Sequence, residues 1–157
     1  TSTEQILHPE KYINGEAPVA VVLGETDAIL DGSWIVASED TLGEFYLRAY
    51  LDTQIEVGES VSAAAGWGGD AYRIYQNTES GELAWVMRLA WDTPTDASEF
   101  VSAYMAFGDI RFGTMAQDSC WVNNTETLCL TEAENGESII TFAPAESTAR
   151  ALLSTQQ

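Results

Sequence analysis

The sequence predicts an α+β fold: one antiparallel sheet of about five strands, with helices packed mainly on one face. Three observations carry this. Residues 42–50 and 97–105 repeat apolar side chains at helical spacing. Residues 71–91 instead alternate with the two-residue period of a strand, across a polar turn. The C-terminal part alternates short apolar runs with turn residues, among them Asn135-Gly136, a strong hairpin signal. With 157 residues, the chain makes a single domain (1–157) that can bury a sizeable core, residues 1–18 forming an extended N-terminal segment.

In chain order, residues 1–7 read as a short helical turn. Pro9 then holds His8 towards an extended conformation, and residues 8–18 read as a surface connection. VAVVL (19–23) is a strand or a buried extended segment, and 33–37 a strand after the turn at Asp31-Gly32. Thr41 and Glu44 form a capping box for a helix whose apolar stripe is Leu42, Phe45, Tyr46, Ala49 and Tyr50. A second helix covers 59–65 and ends at Gly66. Gly66, Gly68 and Gly69 lack the lysine, the hydroxyl and the following helix of a phosphate loop. They read as backbone punctuation, with Trp67 as a core plug.

Strands follow at 71–76 and 83–91. The second is apolar on both faces and so is placed centrally, which requires an acidic partner or an edge position for Arg88. Thr93 suits an N-cap, Pro94 the first helical position, and Ala97, Phe100, Val101, Tyr104 and Met105 line one face of the next helix. Gly108 and Gly113 loosen what comes after it. A strand at 138–143 and a final helix at 146–153, with Ala149, Leu152 and Leu153 inward, complete the reading.

Twenty-five acidic residues oppose six basic ones, a formal charge of −19. Such a chain repels nucleic acid and anionic membranes. No stretch reaches the ~20 apolar residues of a membrane helix, and no signal peptide opens the chain, so an exported protein would have had its targeting segment removed. In SCWVNNTETLCL, a hairpin tip at Asn124-Thr125 pairs residues whose numbers sum to 249, which sets Cys120 opposite Cys129. That pair is non-hydrogen-bonded, where strands approach most closely, and it suits a disulfide and an oxidising, extracellular location; two buried thiols are the competing reading. Asn123 heads a glycosylation sequon at the loop tip.

His8 is the sole histidine, and HExxH and CxxC are absent. It reads as a packing or capping residue, or as a ligand or acid–base group completed by another chain. No catalytic set and no metal site emerge. The acidic groups Glu39-Asp40-Glu44 and Glu132-Glu134-Glu137 would allow calcium but lack EF-hand spacing, which disfavours it.

STEQILHPEKY (2–12), DTLGEF (40–45), AAAGWGGDAY (63–72) and the pattern formed by Trp91, Asp92, Asp96, Ala97, Glu99 and Phe100 resemble a family of exported bacterial proteins described as zincin-like metallopeptidases. In that family the zinc-binding HExxH helix lies upstream of the segment like STEQILHPEKY. The resemblance therefore implies the C-terminal portion of such a protein, or a relative without the peptidase half, with any zinc bound by a missing upstream segment. It singles out Glu4 and His8 as residues near such a site, and departs from the family at Ala71, where arginine is usual. The leading expectation is a non-catalytic exported accessory or interaction domain, partnered by other protein subunits in an extracellular assembly. The alternative is the C-terminal part of a zinc metallopeptidase.

Overall fold

The structure is a computed structural model that describes residues 2–15, 17–26, 29–133 and 135–156. β3 (Leu83–Trp91) is its axis. Trp85, Met87, Leu89 and Trp91 enter one apolar cluster, while Ala84 and Val86 enter another on the opposite face. β3 pairs antiparallel with β2 (Trp67–Asn77) on one side and β6 (Ser138–Ala143) on the other. β1 (Trp34–Asp40), β4 (Cys120–Val122) and β5 (Thr127–Glu132) complete a six-stranded antiparallel sheet in the order β1-β2-β3-β6-β5-β4. The predicted α+β class is therefore observed, with β1 joining the expected strands as one edge.

Three helices cover the first face: α3 (Gly43–Leu51), α4 (Val57–Ala64) and α5 (Pro94–Phe112). Leu47 and Leu51, Ala63 and Ala64, and Phe100, Tyr104 and Phe107 pack there on Met87, Leu89, Leu128 and Ile140. Trp67 is fully buried among them, as a core plug should be. The inward face of α3 differs from the expected stripe. Gly43, Glu44, Leu47 and Leu51 point in, while Phe45 and Tyr46 are exposed and pack edge-on against each other.

The Asp70 carboxylate accepts the N–H groups of Leu42 (2.7 Å) and Gly43 (2.8 Å) and the indole N–H of Trp67 (2.8 Å). This residue, not the Thr41/Glu44 box, caps the start of α3. Gly43 takes φ +78, a conformation that disfavours any side chain. In α5, Thr93 and Pro94 start the helix as expected. Gly108, expected to loosen the chain, instead lies inside the helix, where a Cβ would strike the Trp121 indole.

On the second face α6 (Glu146–Ser154) sets Ala149, Leu152 and Leu153 against Val86, Ile139 and Ala143. Arg88 emerges here and finds its acidic partner in Glu137, with a further bond to the Gln156 carbonyl at 3.1 Å.

Two N-terminal expectations need correction. The helical turn expected at residues 1–7 is α1 (Thr3–Leu7), closed by a Ser2–Gln5 capping box, whereas residues 8–18, read as a surface connection within an extended segment, begin with a second short helix, α2 (Pro9–Ile13). Pro9 does keep His8 out of helical geometry, but proline also suits the first helical position, so it opens α2. Residues 19–23 join no strand. Val19 donates to the Gly68 carbonyl (2.7 Å), Leu23 is buried, and Val19 and Val22 are exposed. At Gly69 a Cβ would collide with the Val19 carbonyl, so glycine is what lets this segment cross the sheet end.

The cysteine hairpin has the anticipated register: Cys120 opposite Cys129, Trp121 opposite Leu128, Val122 opposite Thr127. Cys120 spends its N–H and C=O on Gln117, away from β5, so the cysteine pair is non-hydrogen-bonded; the Cα atoms approach to 4.1 Å and the sulfurs are disulfide-bonded.

Candidate functional site

Two arrangements contain chemistry. The first is an ionic cluster where α1 and α2 meet the start of α3 and the end of β3. Glu4 is 2% exposed and receives the Lys11 ammonium, which also binds Asp92. His8 Nε2 lies 2.9 Å from Glu44 Oε1, and its Nδ1 lies 3.6 Å from Glu10. Glu44 is 5% exposed, and its other carboxylate oxygen is buried with no hydrogen-bond partner among the described residues. Burial raises the Glu44 pKa above the usual carboxylate range, outweighing the His8 bond. Burial works against the Lys11 charge, but its bonds to Asp92 and Glu4 win and hold its pKa above the ordinary value.

Glu4 and His8, which the sequence singled out, thus lie in one cluster, joined by Glu44, Lys11 and Asp92. Lys11 shares their segment, but nothing in the sequence pointed to Asp92 as their neighbour. Among the described residues no three His, Cys, Asp or Glu side chains are placed to hold a metal. The Lys11 ammonium supplies the positive charge between Glu4 and Asp92, and the cluster fastens the N-terminal helices to the domain.

The acidic groups considered for calcium are dispersed. Glu39 pairs with Arg73 (2.6 Å), Asp40 accepts the Thr41 N–H (2.8 Å), and Glu44 faces His8. Glu137 pairs with Arg88, while Glu134 lies outside the described residues. Asn123 is exposed at the β4–β5 turn, where its side-chain oxygen accepts the N–H groups of Thr125 (2.8 Å) and Glu126 (3.0 Å).

The second arrangement is an apolar groove on the first face, of about 300 Å³. Leu42, just before α3, and Tyr50 of α3 form one wall; Tyr72, Ile74, Trp85 and Met87 of β2 and β3 form the floor. Tyr72, Ile74 and Trp85 are only half-buried, so the helices leave this part of the sheet open. The Tyr50 ring stands edge-on to Trp85 (centroids 6.5 Å, 88°), and Trp85 stacks on Phe142 (5.7 Å, 9°). Arg111 lies 5.9 Å from the Phe142 centroid and pairs with Glu126 (2.7 Å). The Tyr50 hydroxyl bonds that of Tyr104 (2.9 Å), and burial pushes the Tyr50 pKa up to about 12, so it stays a neutral phenol. The groove offers aromatic and aliphatic surface to a ligand, with few polar groups to act on one. Sequence reasoning took Tyr50 as core. The signal for the floor was present in the same-face alternation of Tyr72 with Ile74 and of Trp85 with Met87.

The family described as "Domain of unknown function (DUF8575)" matches residues 33–153. The chain belongs to that family. No curated protein and no solved structure matches the chain. The matched span contains all six strands and every residue lining the groove; Glu4, His8 and Lys11 lie outside it. No helix among the described residues is long and apolar enough to cross a membrane.

Proposed function

We propose that this chain is a non-catalytic, exported interaction domain, an accessory subunit of an extracellular assembly. The observation that carries the reading is the open aromatic groove. Tyr72, Ile74 and Trp85 line an apolar hollow that the helices leave uncovered, and a concave, aromatic-lined surface suits a docked apolar side chain. Its occupant is an apolar or aromatic side chain of another protein subunit. The Cys120–Cys129 disulfide is compatible with an oxidising compartment. The purified chain is expected to show no peptidase or esterase turnover. The affinity of a copurifying subunit is expected to fall about tenfold or more on Trp85→Ala, as truncated aromatic anchors do. Turnover by the chain alone overturns the reading.

A second reading, the C-terminal part of a zinc metallopeptidase, is favoured by one observation. Glu4 and His8, Glu44, and Asp92 come from three separate segments of the family resemblance and meet in one cluster. These residues form no zinc ligand set among those described, so the metal would be held by an upstream segment. In a longer natural protein, Glu4→Gln with His8→Asn would lower zinc content or activity. Unchanged values remove this reading.

A further inference from the structure

β1 is an outer strand of the sheet. The Thr78 N–H donates to the Ser33 carbonyl (2.8 Å), and next along the ladder come Trp34 with Asn77, Ile35 with Gln76 and Val36 with Tyr75. Bonded and non-bonded pairs alternate along an antiparallel ladder. Ile35 therefore bonds back to Gln76, while Val36 directs its N–H and C=O away from β2. The side chains are open as well: Ile35 is 50% exposed and Val36 is 54% exposed.

Native edges are usually blunted by lysine, proline or a bulge. Here a bulge between Val36 and Ser38 and the carboxylates of Glu39 and Asp40 guard only the second half of the strand. Residues 34–36 carry none of these devices. The groove runs close by, since its residue Ile74 pairs with Ser38 of β1.

Charge selects the occupant. Exposed Asp31 and Asp40 flank the apolar pair; Glu39 beside them is paired with Arg73. The whole chain carries −19. That field repels a second copy and draws a cationic segment. We propose that β1 accepts an extended, basic segment of a partner protein as an added strand. The main chain of that segment bonds Val36, its apolar side chains lie on Ile35 and Val36, and its lysines or arginines meet the flanking carboxylates. The proposal rests on the interaction-domain reading and names the partner's chemistry.

The test is titration of the folded chain with the peptide acetyl-Lys-Val-Thr-Val-Lys-Val-Lys-amide, followed by amide NMR. Saturable binding that weakens with added salt is expected, with the largest shifts along β1. Val36→Pro removes an outward donor and leaves the β2 ladder intact, a substitution that edge strands tolerate. Val36→Lys keeps the backbone and repels the peptide, so it carries the test should the proline variant not fold. Each is expected to cut affinity about tenfold or more with a near-parental melting temperature. No saturable binding, equal binding of the peptide with glutamate in place of lysine, or affinity unmoved by either variant overturns the proposal. So does a dimer that Val36→Pro abolishes, because the occupant would then be a second copy. Binding lost on Trp85→Ala but kept in both Val36 variants overturns the edge proposal and leaves the interaction-domain reading standing, whereas hydrolytic turnover by the chain sinks that reading itself.

Discussion

Asp70 ties the start of α3 to its own strand β2 through one side chain. It is 4% exposed, and burial raises its pKa against the pull of its three N–H donors. Asp70→Ala would leave the Leu42 and Gly43 amides and the Trp67 indole without their acceptor, a loss of about 3 kcal/mol or more, read as a lowered urea midpoint. Glu44 gives a pH signature. Its folded pKa is raised, so its contribution to stability is full below the ordinary carboxylate value and is lost as pH rises through the folded value. Glu44→Gln removes that loss. The variant should gain in melting temperature relative to the parent as pH rises above about 5, with the difference flat below about pH 4; a difference independent of pH contradicts it. Glu4 and His8 were singled out only because they lie in the segment that carries the family resemblance. Asp92 was not legible as their neighbour, because it reaches Lys11 across 81 residues, and no local period reports such a contact.

At the scale of elements, the hairpin was the most readable part, since a turn centre and two cysteines over-determine its register. Closing so short a loop is worth about 2–3 kcal/mol, so Cys120→Ala with Cys129→Ala should lower the melting temperature by about 5–10 °C in a scanning calorimeter. α3 was readable as a helix but not in its rotation. Two apolar lines run along it, and Leu47 and Leu51, not Phe45 and Tyr46, are the ones that meet the core formed by β3 and α5, contacts that no local period reports. Residues 19–23 read as a strand or a buried extended segment; the apolar run joins no strand and buries Leu23 while exposing Val19 and Val22, and the chain there is anchored by a bond to Gly68 beside Gly69. Gly69→Ala should push that segment off the sheet. Faster proteolysis around residues 17–23, with the core otherwise protected, is the expected result; parental protection would show that the segment can shift to accommodate the methyl group.

Across the whole molecule, the antiparallel sheet was predictable from alternation and turn residues, and the groove was not. Alternation identifies which side chains share a face, but the gap depends on where α3 and α5 happen to stop covering that face. The same sheet carries both proposed contact features: the groove over β2 and β3, and the open half of β1. Hydrogen exchange on the native assembly, compared with the purified chain, reads both at once. Slower exchange at the Val36 amide and at the amides of α3 beside the groove is predicted for the assembly, with the ionic cluster unchanged. Equal exchange in the two samples, or protection confined to the helices around Glu4 and His8, would contradict the interaction-domain reading.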